Sequence, residues 1–180
     1  MKPSPEKFYK AFAPRLTVLV TSIDSLGNVN AAPFSFAMPV SMAPPLLALG
    51  LNPKNDTIAN IKETKEFVVN IPTIDILKQV WGCSEKFPRG VNELEKTKLT
   101  EIKSSRVKPP RVAECIAWFE CALEWMKEAG DHVLVVGRVL EAEVKDEFVK
   151  KDGSLDASSA RVLMHVGGKE FSLPGMSTTP

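Results

Sequence analysis

An uncharged run from Ser25 to Pro53 constrains the fold of this chain more than any other feature of its sequence. It contains no charged side chain, although 25% of the 180 residues are charged. Four prolines interrupt it, and each one removes a backbone donor and disrupts helical geometry. They are Pro33, Pro39, Pro44 and Pro45. A membrane-spanning helix is therefore excluded here. The run predicts either a buried sheet or a surface that lies against something uncharged and flat.

The length and charge of the chain limit its organisation and partners. A chain of 180 residues predicts a single domain over residues 1–180. The 23 Lys and Arg residues nearly equal the 22 Asp and Glu residues, so the net charge favours neither a nucleic acid nor a membrane as partner. The opening segment "MKPSPEKFYK" lacks the apolar core of a signal peptide. We therefore expect a cytoplasmic protein.

The three cysteines, Cys83, Cys115 and Cys121, are widely spaced and form no Cys-x-x-Cys pair. Their number is odd and they lack a nearby histidine, which argues against a disulfide framework or a structural metal site. We expect buried free thiols, because cysteine is among the residue types most often buried.

Short strands are predicted on both sides of a turn early in the chain. "LTVLVTS", from Leu16 to Ser22, is β-branched and apolar, and the turn formers "DSLGN" follow it directly. This pattern indicates a strand that enters a hairpin. The return strand begins at about Val29, becomes irregular around Ser41 and resumes through "LLALGL", because prolines cannot lie in a central ladder.

The middle of the chain alternates between short helices and strands. "NDTIANIKET" predicts a helix with Asp56 or Thr57 as N-cap, and "EFVVNIP" predicts a strand. Helical spacing follows from Ile74 to Cys83. Residues 84–110 are charged and lack an apolar period, so they predict a long surface excursion with one helical turn near residues 92–96.

The segment "AWFECALEWMKEAGDHVLVVGRVLEAEV" fits both helical and strand periodicity in its first half. We predict a strand for this first half, because the turn at Gly130 and Asp131 is followed by a β-rich stretch that needs an antiparallel neighbour. From Lys150 onward the chain is rich in Gly and Ser and is expected to wrap the surface. These patterns together predict a mainly β fold, a barrel with a few small helices.

The common catalytic signatures are absent from the sequence. It has no Gly-x-Gly-x-x-Gly before a helix, no Walker loop, no His-Glu-x-x-His and no Gly-x-Ser-x-Gly. Imidazole chemistry is confined to His132 and His165. A lone histidine is commonly a polar residue satisfied at a strand end, but His132, in a turn beside Gly130 and Asp131, is better placed to face a ligand.

Four segments carry a resemblance to a known family. They are "TSIDSLGNVNAAPFSF", "VSMAPPLLALGL", "KNDTIANIKETKEFVVNIP" and "GDHVLVVGRV", which occur in the family's order from Leu16 to about Val139. The chain resembles the flavin reductase-like, FMN-binding split-barrel family, which includes flavoredoxin and archaeal ferric reductase. The tail "HVGGKEFSLPG" also resembles the family's closing segment, in which Phe171 is the aromatic residue near the flavin. The resemblance implies a split β-barrel of Greek-key type with a few short helices.

The resemblance implies non-covalent FMN and offers an explanation of the uncharged run. An isoalloxazine ring is flat and apolar on its faces, so its seat needs small side chains and free backbone N–H groups. Pro33 is expected to keep its segment out of the ladder and so to free neighbouring amides. The residues expected at the ring and ribityl chain are Asn30, Ala31, Ala32, Pro33, Phe34, Ser35, Ser41 and Phe171. The alternative is an edge strand with a bulge.

A phosphate needs a helix N-terminus with a hydroxyl and a nearby cation. "PKNDT" offers Lys54, Asn55 and Thr57 at a predicted helix start. The carboxylate of Asp56 would repel a phosphate there, so we expect it to point away. A plain helix cap is the alternative interpretation of this segment.

The resemblance implies an oxidoreductase that reduces a flavin or a metal chelate with NAD(P)H as electron donor. His132 is the candidate for the nicotinamide side. A homodimer is implied, with the flavin at or near the subunit interface. Two alternatives stay open, namely a flavin-binding electron carrier without NAD(P)H turnover and a binding module that has lost its flavin.

Overall fold

The structure is a computed structural model that describes residue 2 and residues 4–175. The strands are β1 (Arg15–Leu16), β2 (Val18–Ile23), β3 (Val29–Phe34), β4 (Ala37–Met42), β5 (Pro45–Leu51), β6 (Glu66–Ile71), β7 (Glu101–Ile102), β8 (Arg111–Val112), β9 (Ala117–Ala129), β10 (His132–Val144), β11 (Met164–Gly167) and β12 (Glu170–Ser172). The helices are α1 (Phe8–Ala11), α2 (Asp56–Thr64), α3 (Leu77–Gly82), α4 (Glu93–Thr97) and α5 (Ala157–Ala160). None of the helices in these described ranges is long and apolar enough to cross a membrane.

The main sheet has seven antiparallel strands in the order β3-β2-β6-β9-β10-β5-β4. Its two edge strands, β3 and β4, are joined only by Ser35 and Phe36. In a flat sheet six strand spacings would separate these edges by about 29 Å. A two-residue link spans at most about 11 Å. The sheet must therefore curl into a barrel, which is closed by one bent strand formed by β3 and its continuation β4.

The closing strand changes partners at its bend. β3 pairs with β2, from Val18 opposite Phe34 to Ile23 opposite Val29. Beyond the bend, β4 pairs with β5 instead, and the Gly50 N–H donates to the carbonyl of Phe36 at 2.8 Å. The barrel is thus split where the chain passes from one edge to the other. The predicted mainly β, split-barrel fold is confirmed.

The sheet carries one apolar cluster on each face. The first fills the barrel with strand residues such as Val20, Leu49 and Phe67, and Ile58 and Ile61 of α2 close one end. The second lies between the outer face and the segments around α3 and α4. Its buried members include Leu19, Ala31, Val80, Leu94 and Trp118. The three predicted helical segments therefore form, as α2, α3 and α4, because the sheet offers each an apolar surface.

The long hairpin of β9 and β10 confirms the choice of strand over helix for the ambiguous segment. Each strand has 13 residues, and the register is interrupted at two points, between Val136 and Gly137 and between Val139 and Glu141. The prediction of buried free thiols is also confirmed. Burial raises the pKa of Cys83 to about 11 and that of Cys121 to about 12.

Residues 84–110 are more than a surface excursion, which corrects the prediction. Leu94, Leu99 and Val107 from this segment are buried in the outer cluster. Single apolar residues spaced along a charged loop show no period, so sequence patterning could not reveal them. The segment after Lys150 likewise does more than wrap the surface, because Val162 and Leu163 are buried and β11 pairs with β1.

Candidate functional site

Five side chains from three distant parts of the chain form two contacting groups at the split of the barrel, joined by the sequence neighbours Ser35 and Phe36. We call them the seam row: His132, Phe36, Ser35, His165 and Phe171. The rings of His132 and Phe36 lie 5.3 Å apart between centroids. Ser35, next to Phe36, has its hydroxyl oxygen 3.1 Å from Nδ1 of His165. The ring of His165 in turn lies 5.3 Å from that of Phe171. Of the predicted site residues, Ser35 and Phe171 thus both contact His165, and His132 contacts Phe36.

Strand pairing fixes the two ends of the seam row. His132 opens β10 opposite Ala129, just after Gly130, whose φ of +65° suits the tight turn. At the other end His165 in β11 lies opposite Phe171 in β12. Arg15 in β1 pairs with His165 on the opposite side, and its guanidinium carbon lies 5.5 Å from the ring centroid of Phe36.

His132 has one ring nitrogen engaged and is partly exposed. Its Nδ1 donates to the carboxylate of Asp131 at 2.7 Å, and 33% of its side chain is accessible. This hydrogen bond holds the pKa of the Asp131 carboxyl below its ordinary value. Among the described residues no partner is found for Nε2. That nitrogen is free to meet a ligand.

Phe171 is placed by a second aromatic residue that the sequence reading missed. Its ring meets that of Trp81 edge-on, with centroids 6.2 Å apart. The ammonium of Lys169 lies 5.9 Å from the Trp81 ring centroid. Phe171 is half-buried and packs against the outer cluster. The end of the seam row is therefore aromatic and flanked by a cation.

A second group of polar side chains, the Asn30 cluster, consists of Asn30, Thr57, Glu93 and the backbone of Ala31. Glu93 accepts from the Asn30 side-chain amide at 3.0 Å and from the Ala31 N–H at 2.9 Å. The Asn30 side-chain oxygen accepts from the Thr57 hydroxyl at 2.9 Å. The cluster joins β3 to the first turns of α4 and α2.

Glu93 was not predicted as a site residue, and nothing in the sequence marks it, because it stands in a segment rich in charges. It is 6% exposed. Burial raises the pKa of its carboxyl above the ordinary value, and the two hydrogen bonds from Ala31 and Asn30 oppose this shift. Asn92 caps α4 by accepting from Leu94 N–H at 2.9 Å, which fixes Glu93 in the first turn.

The structure corrects two expectations about the segment from Asn30 to Ser35. Pro33 lies within the ladder of β3, opposite Leu19, and does not hold the segment out of it. Proline is tolerated there because β3 is an edge strand. The N–H of Ala31 is bound to Glu93 and is not free. Alternation along the strand also divides the segment, so that Phe34 packs against the barrel interior and Ala31 lies in the outer cluster.

Helix α2 begins differently from the prediction. Asn55 is its N-cap, not Asp56 or Thr57, and its side chain makes no capping hydrogen bond. Thr57 does not cap the helix, because it is the second helical residue and its hydroxyl donates to Asn30. The first N–H groups of the helix lack intrahelical partners. The exposed Lys54 precedes this uncapped end.

The start of α2 lies at the same end of the barrel as His132. Leu51, the last residue of β5, is opposite Val133, the neighbour of His132. Lys54 follows Leu51 by three residues, at most about 11 Å of chain. The Asn30 cluster and the Ser35 end of the seam row are separated by about 16 Å, because Asn30 and Ser35 are five residues apart on an extended strand. Ser41 stands apart from both groups, in β4 opposite Leu46, beside a register shift after Pro39.

Comparisons with known proteins agree with this architecture. The sequence model described as "Flavin reductase like domain" matches residues 11–169. An uncharacterized protein of Archaeoglobus fulgidus is 37% identical over 158 residues, which cover 88% of this chain and 87% of that protein. A flavin reductase of Pseudomonas putida is 27% identical over 128 residues, covering 71% of this chain and 72% of that protein.

Among solved structures, nitrilotriacetate monooxygenase component B from Bacillus cereus superimposes with a TM-score of 0.89 at 26% identity. The superposition covers 99% of this chain and 95% of that chain. The family match spans nearly all of the residues that form the barrel, the seam row and the Asn30 cluster, and stops just short of Phe171. The chain belongs to the flavin reductase like domain family.

Proposed function

We propose that this protein binds FMN non-covalently at the split of its barrel and reduces it, or a metal chelate through it, with NAD(P)H as electron donor. The observation that supports the proposal is the seam row, in which Ser35 and Phe171 both contact His165 and His132 contacts Phe36, the neighbour of Ser35, although these residues lie far apart in the sequence. When bound, the flavin supplies the redox chemistry, and the protein supplies position and polarity. The Pseudomonas putida relative, named a flavin reductase, supports the same activity.

The seam row fits a flat, apolar ring with hydrogen-bonding edges. Aromatic rings at Phe36 and Phe171 can pack against a ring face, and the Ser35 hydroxyl can meet an edge. Ala32 and Pro33 are small and half-buried, so they leave the backbone approachable. No charged residue occurs between Ser25 and Pro53, which suits a ring whose faces carry no charge.

The uncapped start of α2 fits the phosphate. Backbone N–H groups at a helix N-terminus attract anions, and Asn55 offers no side-chain cap that a phosphate would have to displace. Lys54 adds a cation on the preceding turn. Thr57 contributes through its backbone N–H in this arrangement, because its hydroxyl proton is donated to Asn30. The Asn30 cluster then holds the helix start against β3.

His132 is assigned to the nicotinamide side. Its Nδ1 donates to Asp131, which orients the ring and leaves Nε2 for a ligand. The ring also lies 5.3 Å from that of Phe36, tilted by 34°, at the seam row. A partly exposed imidazole in this position can hydrogen-bond a carboxamide or a phosphate of NAD(P)H. Binding and orientation of the hydride donor are the tasks that the residues of this site perform.

We include a homodimer in the proposal, with the cytoplasm as its location. The edge strand β4 exposes apolar side chains, with Met38 58% and Met42 94% accessible. An exposed apolar edge strand is a surface that proteins usually cover. A second copy would cover it beside the seam row. Met38→Glu should convert a dimer to a monomer in sedimentation, whereas Leu26→Glu, at an exposed turn, should not.

The colour of the purified protein is the first test, because bound FMN absorbs blue light and a protein without flavin is colourless. Competition titration should show FMN binding at least tenfold tighter than FAD, about 1.4 kcal/mol. Anaerobic mixing with NADH or NADPH should bleach the yellow protein. A yellow protein that neither nucleotide bleaches would be an electron carrier, and a colourless one that takes up no FMN would contradict the proposal.

A further inference from the structure

His165 was not among the predicted site residues, yet it touches Ser35 at the centre of the seam row. Its two ring nitrogens have different partners. Nε2 lies 3.2 Å from the carbonyl oxygen of Gly168, and Nδ1 lies 3.1 Å from the hydroxyl oxygen of Ser35. Both side chains are half-buried. The contact joins positions 130 residues apart in the sequence.

The partners of His165 determine where its proton lies. A carbonyl oxygen can only accept, so Nε2 must carry the proton and donate to Gly168. In a neutral imidazole Nδ1 then has a lone pair and no proton. The hydroxyl of Ser35 must therefore donate its only proton to Nδ1. What Ser35 still offers to any ligand is the lone pairs of its oxygen.

We propose that His165 is a positioning residue that holds the Ser35 hydroxyl as a hydrogen-bond acceptor toward the flavin edge, and so favours the reduced flavin over the oxidised one. This inference rests on the proposed function. Oxidised flavin presents mostly acceptors at its ring edge, whereas reduction adds N–H groups. An acceptor at Ser35 matches the added N–H, and a free hydroxyl donor would match the oxidised edge.

The fold keeps this arrangement in place from three sides. Strand pairing sets His165 opposite Phe171, whose ring lies 5.3 Å away. β1 pairs Arg15 with His165 on the other side of the strand. Lys169 and Glu170, in the turn and strand that follow, are exposed. The bend at the split then presents Ser35 to Nδ1.

The direct test compares two substitutions of His165 in the flavin-loaded protein. His165→Phe keeps a ring beside Phe171 but removes the acceptor, so the Ser35 proton becomes free to donate. His165→Asn keeps a side-chain oxygen that can replace Nδ1. We expect His165→Phe to tighten oxidised relative to reduced flavin about tenfold, which lowers the midpoint potential by about 30 mV for a two-electron couple. His165→Asn should restore most of the potential.

A double-mutant cycle shows whether His165 acts through Ser35. In a Ser35→Ala background the same change at His165 should leave the potential unchanged, because no hydroxyl remains to be oriented. If the His165→Phe effect persists in that background, or if His165→Phe and the parent protein have equal potentials, the inference is wrong. Should His165→Phe fail to fold, His165→Ala also removes the acceptor and completes the cycle with Ser35→Ala.

Nitrogen-15 NMR of the imidazole in the flavin-free protein provides a readout that needs no cofactor. In mildly alkaline buffer, where imidazole is neutral, the Nε2–H tautomer of His165 is expected, and an Nδ1–H tautomer would overturn the inference. Failure of the proposed function looks different. A parent protein that binds no flavin overturns both, whereas flavin binding with potentials unaffected by His165 overturns the inference alone.

Discussion

The carboxylate of Glu93 accepts the backbone N–H of Ala31 at 2.9 Å, across 62 residues of sequence. Its other oxygen accepts the side-chain amide of Asn30 at 3.0 Å. The amide is thereby oriented with its oxygen toward Thr57, which donates to it at 2.9 Å. One buried carboxylate therefore fixes the beginning of β3 and, through Asn30, the beginning of α2.

Glu93→Gln should lower the free energy of unfolding by about 2 kcal/mol. The NH₂ group of glutamine would face either the Ala31 N–H or the Asn30 side-chain amide, and that buried donor would have no acceptor. Urea denaturation measures the loss. Glu95→Gln is the matched control, because Glu95 is exposed on the same helix and its replacement should change stability by less than about 0.5 kcal/mol. Equal effects of the two substitutions would contradict a role for the Glu93 contacts.

Lys54→Ala should weaken FMN binding about tenfold, about 1.4 kcal/mol, because a cation next to the phosphate is lost. Riboflavin, which has no phosphate, should bind the variant and the parent protein equally. Lys62→Ala removes an exposed lysine from the far end of α2 and should leave both affinities unchanged. The phosphate assignment fails if riboflavin binding falls as much as FMN binding.

His132→Ala should leave FMN affinity nearly unchanged and slow anaerobic flavin reduction, mainly through weaker binding of NAD(P)H by about tenfold. Asp131→Asn keeps the imidazole and removes its carboxylate partner, so it should have a smaller effect. Single-turnover reduction, FMN titration and thermal denaturation on one preparation give the three measurements. A lower melting temperature with an unchanged rate per folded molecule would instead assign His132 to stability.

The fully buried carboxyl of Glu120 predicts a pH dependence of stability. Burial acts to raise its pKa, but hydrogen bonds from the N–H groups of Ser105 and Arg106 and from the Arg111 side chain lower it overall. The unfolded chain therefore takes up the proton first as the pH falls. The stabilisation by Glu120 is fully present above its ordinary pKa of 4.5, and it is lost as the pH falls through the folded pKa.

Glu120→Gln should cost about 3 kcal/mol at neutral pH, because it leaves the buried Arg111 without one partner. The difference in unfolding free energy between parent and variant should shrink below about pH 4.5. Urea denaturation at several pH values measures it. Glu124→Gln, which breaks the more exposed pair with Arg138, is the control and should cost much less, because a solvent-exposed ion pair contributes little to stability. A pH-independent difference at Glu120 would contradict the assignment.

Gly137→Ala should destabilise the barrel by about 2 kcal/mol, as overpacking of a core does. A Cβ at this position would lie 2.7 Å from Cε1 of Phe67, closer still to Cζ, and 3.0 Å from Cβ of Cys121. Phe67 is fully buried and has no room to move aside. Gly167→Ala meets nothing within 4 Å and serves as control. Similar thermal shifts for both variants would refute the packing argument.

Local chemistry in the sequence determined the elements of this fold. The β-branched strand before "DSLGN", the turn at Gly130 and Asp131, and the amphipathic segment that became α2 were all predicted correctly, because turn residues and periodicity act over a few neighbours. The uncharged run left open a buried sheet or a surface against something flat; the strands β3, β4 and β5 lie in it, and β4 is largely exposed. The resemblance carried by four segments predicted the split barrel.

Tertiary structure alone decided the partners of the polar groups. Residues 84–110 carry no apolar period, so the burial of Glu93 and its bond to Ala31 could not be predicted from them. The contact of Ser35 with His165 arises because a two-residue link closes the sheet and β11 pairs with β1. Local propensity fixes which residues form a strand, but a hydroxyl donates or accepts according to the atom that folding places opposite it.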